Sequence, residues 1–129
     1  MRVLLDTHAF LAWTSAGGAR LTPLARDVIA DAETDVLLSA VSGFEIAAKA
    51  ARGRLDLPED AGRFVPSRVA RHGFHVLPIS LEHALRGGML PDIHRDPFDR
   101  ILIAQAQIEG LPILTADPMI ARYDVETIW

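Results

Sequence analysis

Asp96-Pro97-Phe98-Asp99-Arg100-Ile101-Leu102-Ile103-Ala104 leads through Gln105-Ala106-Gln107-Ile108-Glu109-Gly110 into Leu111-Pro112-Ile113-Leu114-Thr115-Ala116-Asp117. Asp96 has the chemistry of a helix N-cap, Pro97 suits the first helical position, and Asp99 falls in the first turn. Ile101, Leu102, Ile103, Ala104, Ala106 and Ile108 make this helix apolar almost all round, which predicts that it is buried. Gly110 and Pro112 stop it. Pro112 to Thr115 reads as a short buried strand, and Asp117 lies just beyond it. The chain therefore sets one carboxylate at the mouth of a buried helix and another past the end of a buried strand. Val3-Leu4-Leu5, running straight into Asp6, repeats the second arrangement.

Outward from this stretch, short apolar strands alternate with helical segments. Val3 to Asp6 is apolar on both faces, as in a central parallel strand. A first helix carries Phe10, Leu11 and Trp13 and ends at Gly17-Gly18. Thr22-Pro23 opens a second, running to about Glu33, and Val36-Leu37-Leu38 follows as a strand. Ser42-Gly43-Phe44-Glu45 has the spacing of a capping box and predicts a helix start there. Another helix starts at Pro58-Glu59-Asp60 and is interrupted or bent at Pro66. His75 to Ile79 is a third strand. Ser80 caps a short helix that Gly87-Gly88 breaks. Residues 90–94 form a loop, and a half-turn around Met119 and Ile120 leads to an edge strand over Val125 to Ile128. This alternation predicts an α/β fold with a mostly parallel sheet, in which sites form beyond the carboxyl ends of the strands.

The 129 residues are enough for one domain with a substantial core, and half of them are hydrophobic. The net charge of −4 argues against a generally basic nucleic-acid coat but allows a local basic surface. With no cysteine, disulfides and thiolate metal sites are excluded. No apolar run approaches the ~20 residues of a membrane span, and Met1-Arg2 leads directly into a strand, so the expectation is a soluble cytoplasmic protein.

Asp6, Glu45, Asp99 and Asp117 each have a structural use, as caps or as acids near a helix N-terminus. Their convergence does not. Four carboxylates at one sheet edge repel by on the order of 1 kcal/mol or more per close pair, and folding alone gives no reason to gather them. A divalent cation does. Carboxylates without cysteine or a histidine cluster suit Mg2+ or Mn2+, and the chemistry to expect is metal-assisted hydrolysis of a phosphate ester.

Leu4-Leu5-Asp6-Thr7-His8, Ser39-Ala40-Val41-Ser42 with Glu45-Ile46, Asp96-Pro97-Phe98-Asp99-Arg100 with Ile103-Ala104, and Thr115-Ala116-Asp117 together resemble PIN-domain nucleases, and within them the VapC toxins of type II toxin–antitoxin systems. The resemblance runs from Arg2 nearly to the last residue. It implies a three-layer α/β/α sandwich around a five-stranded, mostly parallel sheet, formed by residues 1–129 as one PIN domain. It implies an Mg2+- or Mn2+-dependent endoribonuclease with an RNA substrate, a cognate antitoxin protein as partner, and a homodimer. Carried over by position, Asp6, Glu45, Asp99 and Asp117 are the acidic quartet. Asp6 and Asp99 are expected to hold metal directly, Glu45 to complete or orient the site, and Asp117 to act through water. Asp99 is preferred to Asp96 because the family's acid stands just before the apolar helical stretch.

Other polar residues carry two readings. Thr7 is either a cap of the first helix or a contact to phosphate. Lys49 and Arg52, on the helical face of Glu45, form either an ordinary ion-pair stripe or a hold on RNA phosphates. Arg95 and Arg100 raise the same choice, with phosphate contact favoured for Lys49 and Arg100. His8 and His94 fall near the mouth of the site, as surface residues or substrate contacts. Phe10, Trp13 and Phe44 are core or interface residues before they are base-stacking ones. Leu11 and Trp13 are expected to wall an apolar groove for an antitoxin segment. The competing functions are a PIN-like module that binds RNA or protein without cutting, a small Mg2+ phosphatase, and a DNA-cutting relative. The phosphatase ranks last because Thr7-His8 follows Asp6 where an Asp-x-Asp nucleophile would be required.

Overall fold

The computed structural model describes residues 1–129, the side chain of Ala16 excepted. Five parallel strands stand in the order β3-β2-β1-β4-β5, with β1 at Arg2–Leu5, β2 at Asp35–Ser39, β3 at His75–Leu77, β4 at Ile113–Leu114 and β5 at Thr127–Ile128. The helices are α1 (Thr7–Ala16), α2 (Pro23–Ala30), α3 (Ala40–Ala51), α4 (Ala61–His72), α5 (Leu81–Met89) and α6 (Pro97–Glu109), and a 3-10 turn spans Ile120–Arg122.

Strand alternation sorts the core into two layers. Val3, Leu5, Val36, Leu38 and Leu114 face Phe10, Ala25, Ile29, Ile46 and Phe64 on one side of the sheet. Leu4, Leu37, Leu77 and Ile113 face Val41, Leu102, Ile103 and Ala106 on the other. Leu4 pairs with Leu37 on one side and Ile113 on the other, so β1 is the central strand, apolar on both faces because both are covered. Complete burial of side chains of this size stabilises by roughly 1.5–3 kcal/mol each, which makes β1 and α6 the backbone of the fold. The order also places a switch point between β1 and β4, where the chain changes from building leftward to building rightward. Crevices at such points are where ligands of open parallel sheets bind.

The structure moves several boundaries. Helix α3 begins at Ala40, not at Ser42: β2 passes into it without a loop, and Ser39 ends the strand while capping the helix through the Val41 amide. Ser42 and Glu45 are thereby freed from the capping box and buried. Helix α4 runs through Pro66 to His72 without interruption. Helix α5 runs through Gly87-Gly88 to Met89. Gly87 faces α6 so closely that a Cβ there would sit 3.2 Å from Ile101 Cδ1 and 3.3 Å from the Arg100 carbonyl oxygen. Its bareness serves helix contact rather than a break. Helix α2 stops at Ala30, before Glu33. Within α6, Gln105 is fully buried and donates through Nε2 to the Pro78 carbonyl at 3.1 Å, pinning the helix to the end of β3. No helix among the described residues is long and apolar enough to cross a membrane.

Candidate active site

Asp6 follows β1, and its Oδ1 accepts the Ala9 amide at 2.7 Å, capping α1. Its Oδ2 accepts the Thr115 hydroxyl, and Thr115 Oγ1 accepts the Asp117 amide at 3.0 Å. Asp117 Oδ1 then accepts the Met119 amide at 2.8 Å, a local turn that leaves Oδ2 for other partners. The two neighbouring strand ends β1 and β4 therefore present a pair of braced acids across the switch point.

The other two acids come from helices. Glu45 sits in the second turn of α3 and is 4% exposed. The Thr7 hydroxyl lies 2.7 Å from Glu45 Oε1 and 3.0 Å from Ser42 Oγ. With one proton to give, Thr7 donates to the carboxylate and is left to accept from Ser42. Lys49 donates to Glu45 Oε2. Asp96 is the N-cap of α6, accepting the Phe98 amide at 2.9 Å and the Asp99 amide at 3.5 Å through Oδ1. The cap role belongs to Asp96, and Asp99 turns its carboxylate to the site.

There it meets His94. Nε2 of His94 lies 2.8 Å from Asp99 Oδ2 and 3.4 Å from Asp117 Oδ2. One ligand atom from each of these three residues falls within 4.8 Å of the others. Asp6 and Glu45 stand outside this tight group but couple to it: the charge of Asp117 raises the pKa of Asp6, and that of Glu45 raises the pKa of Asp99. Burial is the larger cause in both. It lifts the Asp6 carboxyl above its ordinary range, against the Thr115 and Ala9 hydrogen bonds and the charge of His8. It lifts Asp99 to about 6, helped by Asp96 and opposed by His94. Two acids raised by desolvation and by like charge form a donor set that a divalent cation would satisfy.

The expected RNA contacts are arranged differently from one another. Thr7 is buried and orients Glu45. Lys49 pairs with Glu45 while 42% of its side chain stays exposed. Arg100 commits all its donors to backbone carbonyls: Nε to Gly87, Nη1 to Pro91 and His94, and Nη2 to Gly88 and Leu90. Phe10 is core, whereas Phe44 is 65% exposed and leans on Phe98 with ring centroids 5.6 Å apart. Thr115 is legible in the sequence only as the end of a strand and part of the Thr115-Ala116-Asp117 motif, and Tyr123 carries no expectation. A hydroxyl two residues before an acid was the available signal for Thr115. Nothing local marks Tyr123, which meets its partners from 29 to 32 residues away.

A groove of about 560 Å3 opens beside Thr7 and Glu45. Leu11, Ile46, Leu55 and Phe64 line it, with Lys49 and Arg54 also on its wall. Trp13 is not in its lining; the indole Nε1 donates to His72 Nδ1 at 3.3 Å.

The sequence model of the PIN domain family matches residues 3–126. Ribonuclease VapC16 of Mycobacterium tuberculosis (strain ATCC 25618 / H37Rv) is 39% identical over 59 residues, which is 46% of this chain. The match covers 40% of that relative's length. The VapBC2 structure from Rickettsia felis, bound to a DNA fragment from the promoter, superposes with a TM-score of 0.73 at 11% identity, over 99% of this chain and 98% of the other. FitAcB from Neisseria gonorrhoeae gives 0.64 at 20% identity, over 100% and 97%. A toxin–antitoxin complex from Klebsiella pneumoniae gives 0.62 at 17% identity, over 98% and 96%. At these identities the likeness is one of fold.

Proposed function

This chain belongs to the PIN domain family, and on that premise we propose that it is a divalent-metal-dependent endoribonuclease, the toxin of a toxin–antitoxin pair, acting as one PIN domain over residues 1–129. The observation that carries the reading is the meeting of Asp99 and Asp117 at the switch-point mouth, with Asp6 joined to Asp117 through Thr115 and Glu45 held by Thr7, the residue after Asp6. Asp6, Glu45, Asp99 and Asp117 would hold Mg2+ or Mn2+. When bound, such an ion supplies Lewis acidity to a phosphoryl oxygen and lowers the pKa of water. The chain's residues do the positioning. Thr115 fixes Asp6 relative to Asp117. Thr7 and Lys49 fix the two oxygens of Glu45, which orients the attacking water. Lys49 extends from there to an RNA phosphate, while Arg100, whose donors are engaged, holds the loop instead.

The partner is a protein. The solved relatives named above include toxin–antitoxin complexes, and the groove beside Glu45 has an apolar lining with basic residues on its wall, suited to a segment of mixed apolar and acidic character. The chain also pairs with a second copy, a reading supported by Leu81, Leu85 and Met89, exposed along one face of α5.

Cleavage of end-labelled total tRNA and ribosomal RNA with Mg2+, Mn2+ or EDTA, beside Asp99→Asn, tests the activity. Discrete products lost with EDTA and with the variant are expected. Equal cleavage by both proteins overturns the site, and binding without cleavage under every condition favours the non-cutting module.

A further inference from the structure

Resting on the metal-nuclease reading, we propose that His94 supplies an imidazole nitrogen ligand to the cation held by Asp99 and Asp117, giving the centre a mixed nitrogen and oxygen donor set. The spacing carries the assignment. Adjacent ligands on a six-coordinate ion with bonds of about 2.0–2.1 Å stand about 3 Å apart. His94 Nε2 lies 2.8 Å from Asp99 Oδ2, a hydrogen bond in the metal-free protein, and 3.4 Å from Asp117 Oδ2, so one ring nitrogen faces both acids at distances that adjacent ligands could keep.

The backbone of His94 is an independent observation. Residues 90–94 have no regular structure, yet they are bound from two directions. The Tyr123 hydroxyl donates to the Pro91 carbonyl at 2.8 Å and accepts the Ile93 and His94 amides at 3.2 and 2.7 Å. Arg100 donates to the carbonyls of Leu90, Pro91 and His94 at 2.8, 3.1 and 3.0 Å. Arg100 belongs to α6, one residue after Asp99, so the helix that presents the carboxylate also fixes the loop that presents the imidazole. Ligand geometry held by surrounding hydrogen bonds before the ion arrives is what a metal centre requires.

The donor set sets a preference. Carboxylate oxygens alone serve Mg2+ and Mn2+ alike, whereas an imidazole adds affinity for transition metals over Mg2+. The centre is therefore selective for Mn2+ through His94.

Titration calorimetry with Mn2+ and with Mg2+, together with pulsed electron paramagnetic resonance of the Mn2+-loaded full chain, tests this on wild type, His94→Asn, His94→Gln and Asp99→Asn. Wild type is expected to show a directly bound nitrogen that both His94 variants lack. Those variants are expected to lose at least about tenfold in Mn2+ affinity and much less for Mg2+. Unchanged Mn2+ affinity in both His94 variants, or a bound nitrogen that survives them, overturns the assignment. Tighter binding in the variants also overturns it, because the imidazole then blocks the ion rather than holding it. Asp99→Asn separates the two levels: if it too leaves Mn2+ affinity unchanged, or if wild type binds no Mn2+, the metal-nuclease reading itself fails.

Discussion

The Thr115 hydroxyl donates to Asp6 Oδ2 while its oxygen receives the Asp117 amide, so one small side chain ties the acid after β1 to the acid beyond β4. Thr115→Val keeps the shape and removes both interactions. Asp6 is 5% exposed and would lose one of its hydrogen-bond donors. A loss of about 1–3 kcal/mol is expected in urea unfolding. RNA cleavage should fall in parallel, since Asp117 loses the anchor of its main chain. A variant as stable as wild type would show that the bond contributes nothing to the fold.

The raised pKa of Asp99 makes stability depend on pH in a definite direction. Its folded value is about 6 and its ordinary value 3.8, so folding favours the protonated acid. That contribution is fully present below about 4 and is lost as pH rises through about 6, a change of roughly 3 kcal/mol from this one group. In chelator-treated protein, Asp99→Asn should therefore gain on wild type between pH 4 and pH 7. Melting of the two proteins across that range measures the gap, and a gap independent of pH would contradict the shift. Added Mn2+ should stabilise wild type more at pH 7 than at pH 5, because the ion competes with the proton for the same oxygens.

The sequence revealed the parts of this site that depend on local chemistry. Asp96 and Pro97 set the start of α6, Gly110 set its end with φ at 67°, and the alternation of Val3, Leu4 and Leu5 set the two faces of β1. What it concealed depends on packing between distant segments. The order of parallel strands is a property of crossovers, so nothing in Ile113 and Leu114 says that they lie beside β1. Gly87 looks like a helix breaker until α6 is packed against it. Arg100 looks like a phosphate contact until α5 and the following loop bring it five carbonyls. His94 reads as a residue near the mouth of the site, but its 3.4 Å approach to Asp117, 23 positions along the chain, depends on packing in the same way.

Arg100→Lys tests the loop clamp. Three of the bonded carbonyls, those of Gly87, Gly88 and Leu90, lie at the C-terminal end of α5, where helix carbonyls lack intrahelical partners. A guanidinium offers five N–H groups in a plane; an ammonium offers three and cannot span the same set. Arg100→Lys should cost about 1–3 kcal/mol of stability and lower the cleavage rate beyond that loss, because His94 and Asp99 are no longer held together. Urea melts paired with single-turnover cleavage at saturating protein separate the two effects. Wild-type rate in a destabilised variant would confine Arg100 to a role in the fold.

Lys49 distinguishes electrostatic binding of RNA from support of Glu45. Its ammonium pairs with Glu45 Oε2, yet 42% of the side chain remains exposed on the rim of the groove. The Glu45 end of this pair is buried, its side chain 5% exposed, so Lys49→Gln leaves that carboxylate with Thr7 as its donor and should cost about 1–3 kcal/mol in urea unfolding. If the same ammonium contacts phosphate, each contact releases counterions, and the slope of log affinity against log salt for single-stranded RNA changes by about 0.7. RNA binding by Asp99→Asn and by Asp99→Asn/Lys49→Gln, measured across a range of salt concentrations, reads that slope without cleavage. The expected result is weaker binding at low salt with a slope shallower by about that amount. An unchanged slope, with slower cleavage when Lys49→Gln is made alone, would instead restrict Lys49 to holding Glu45.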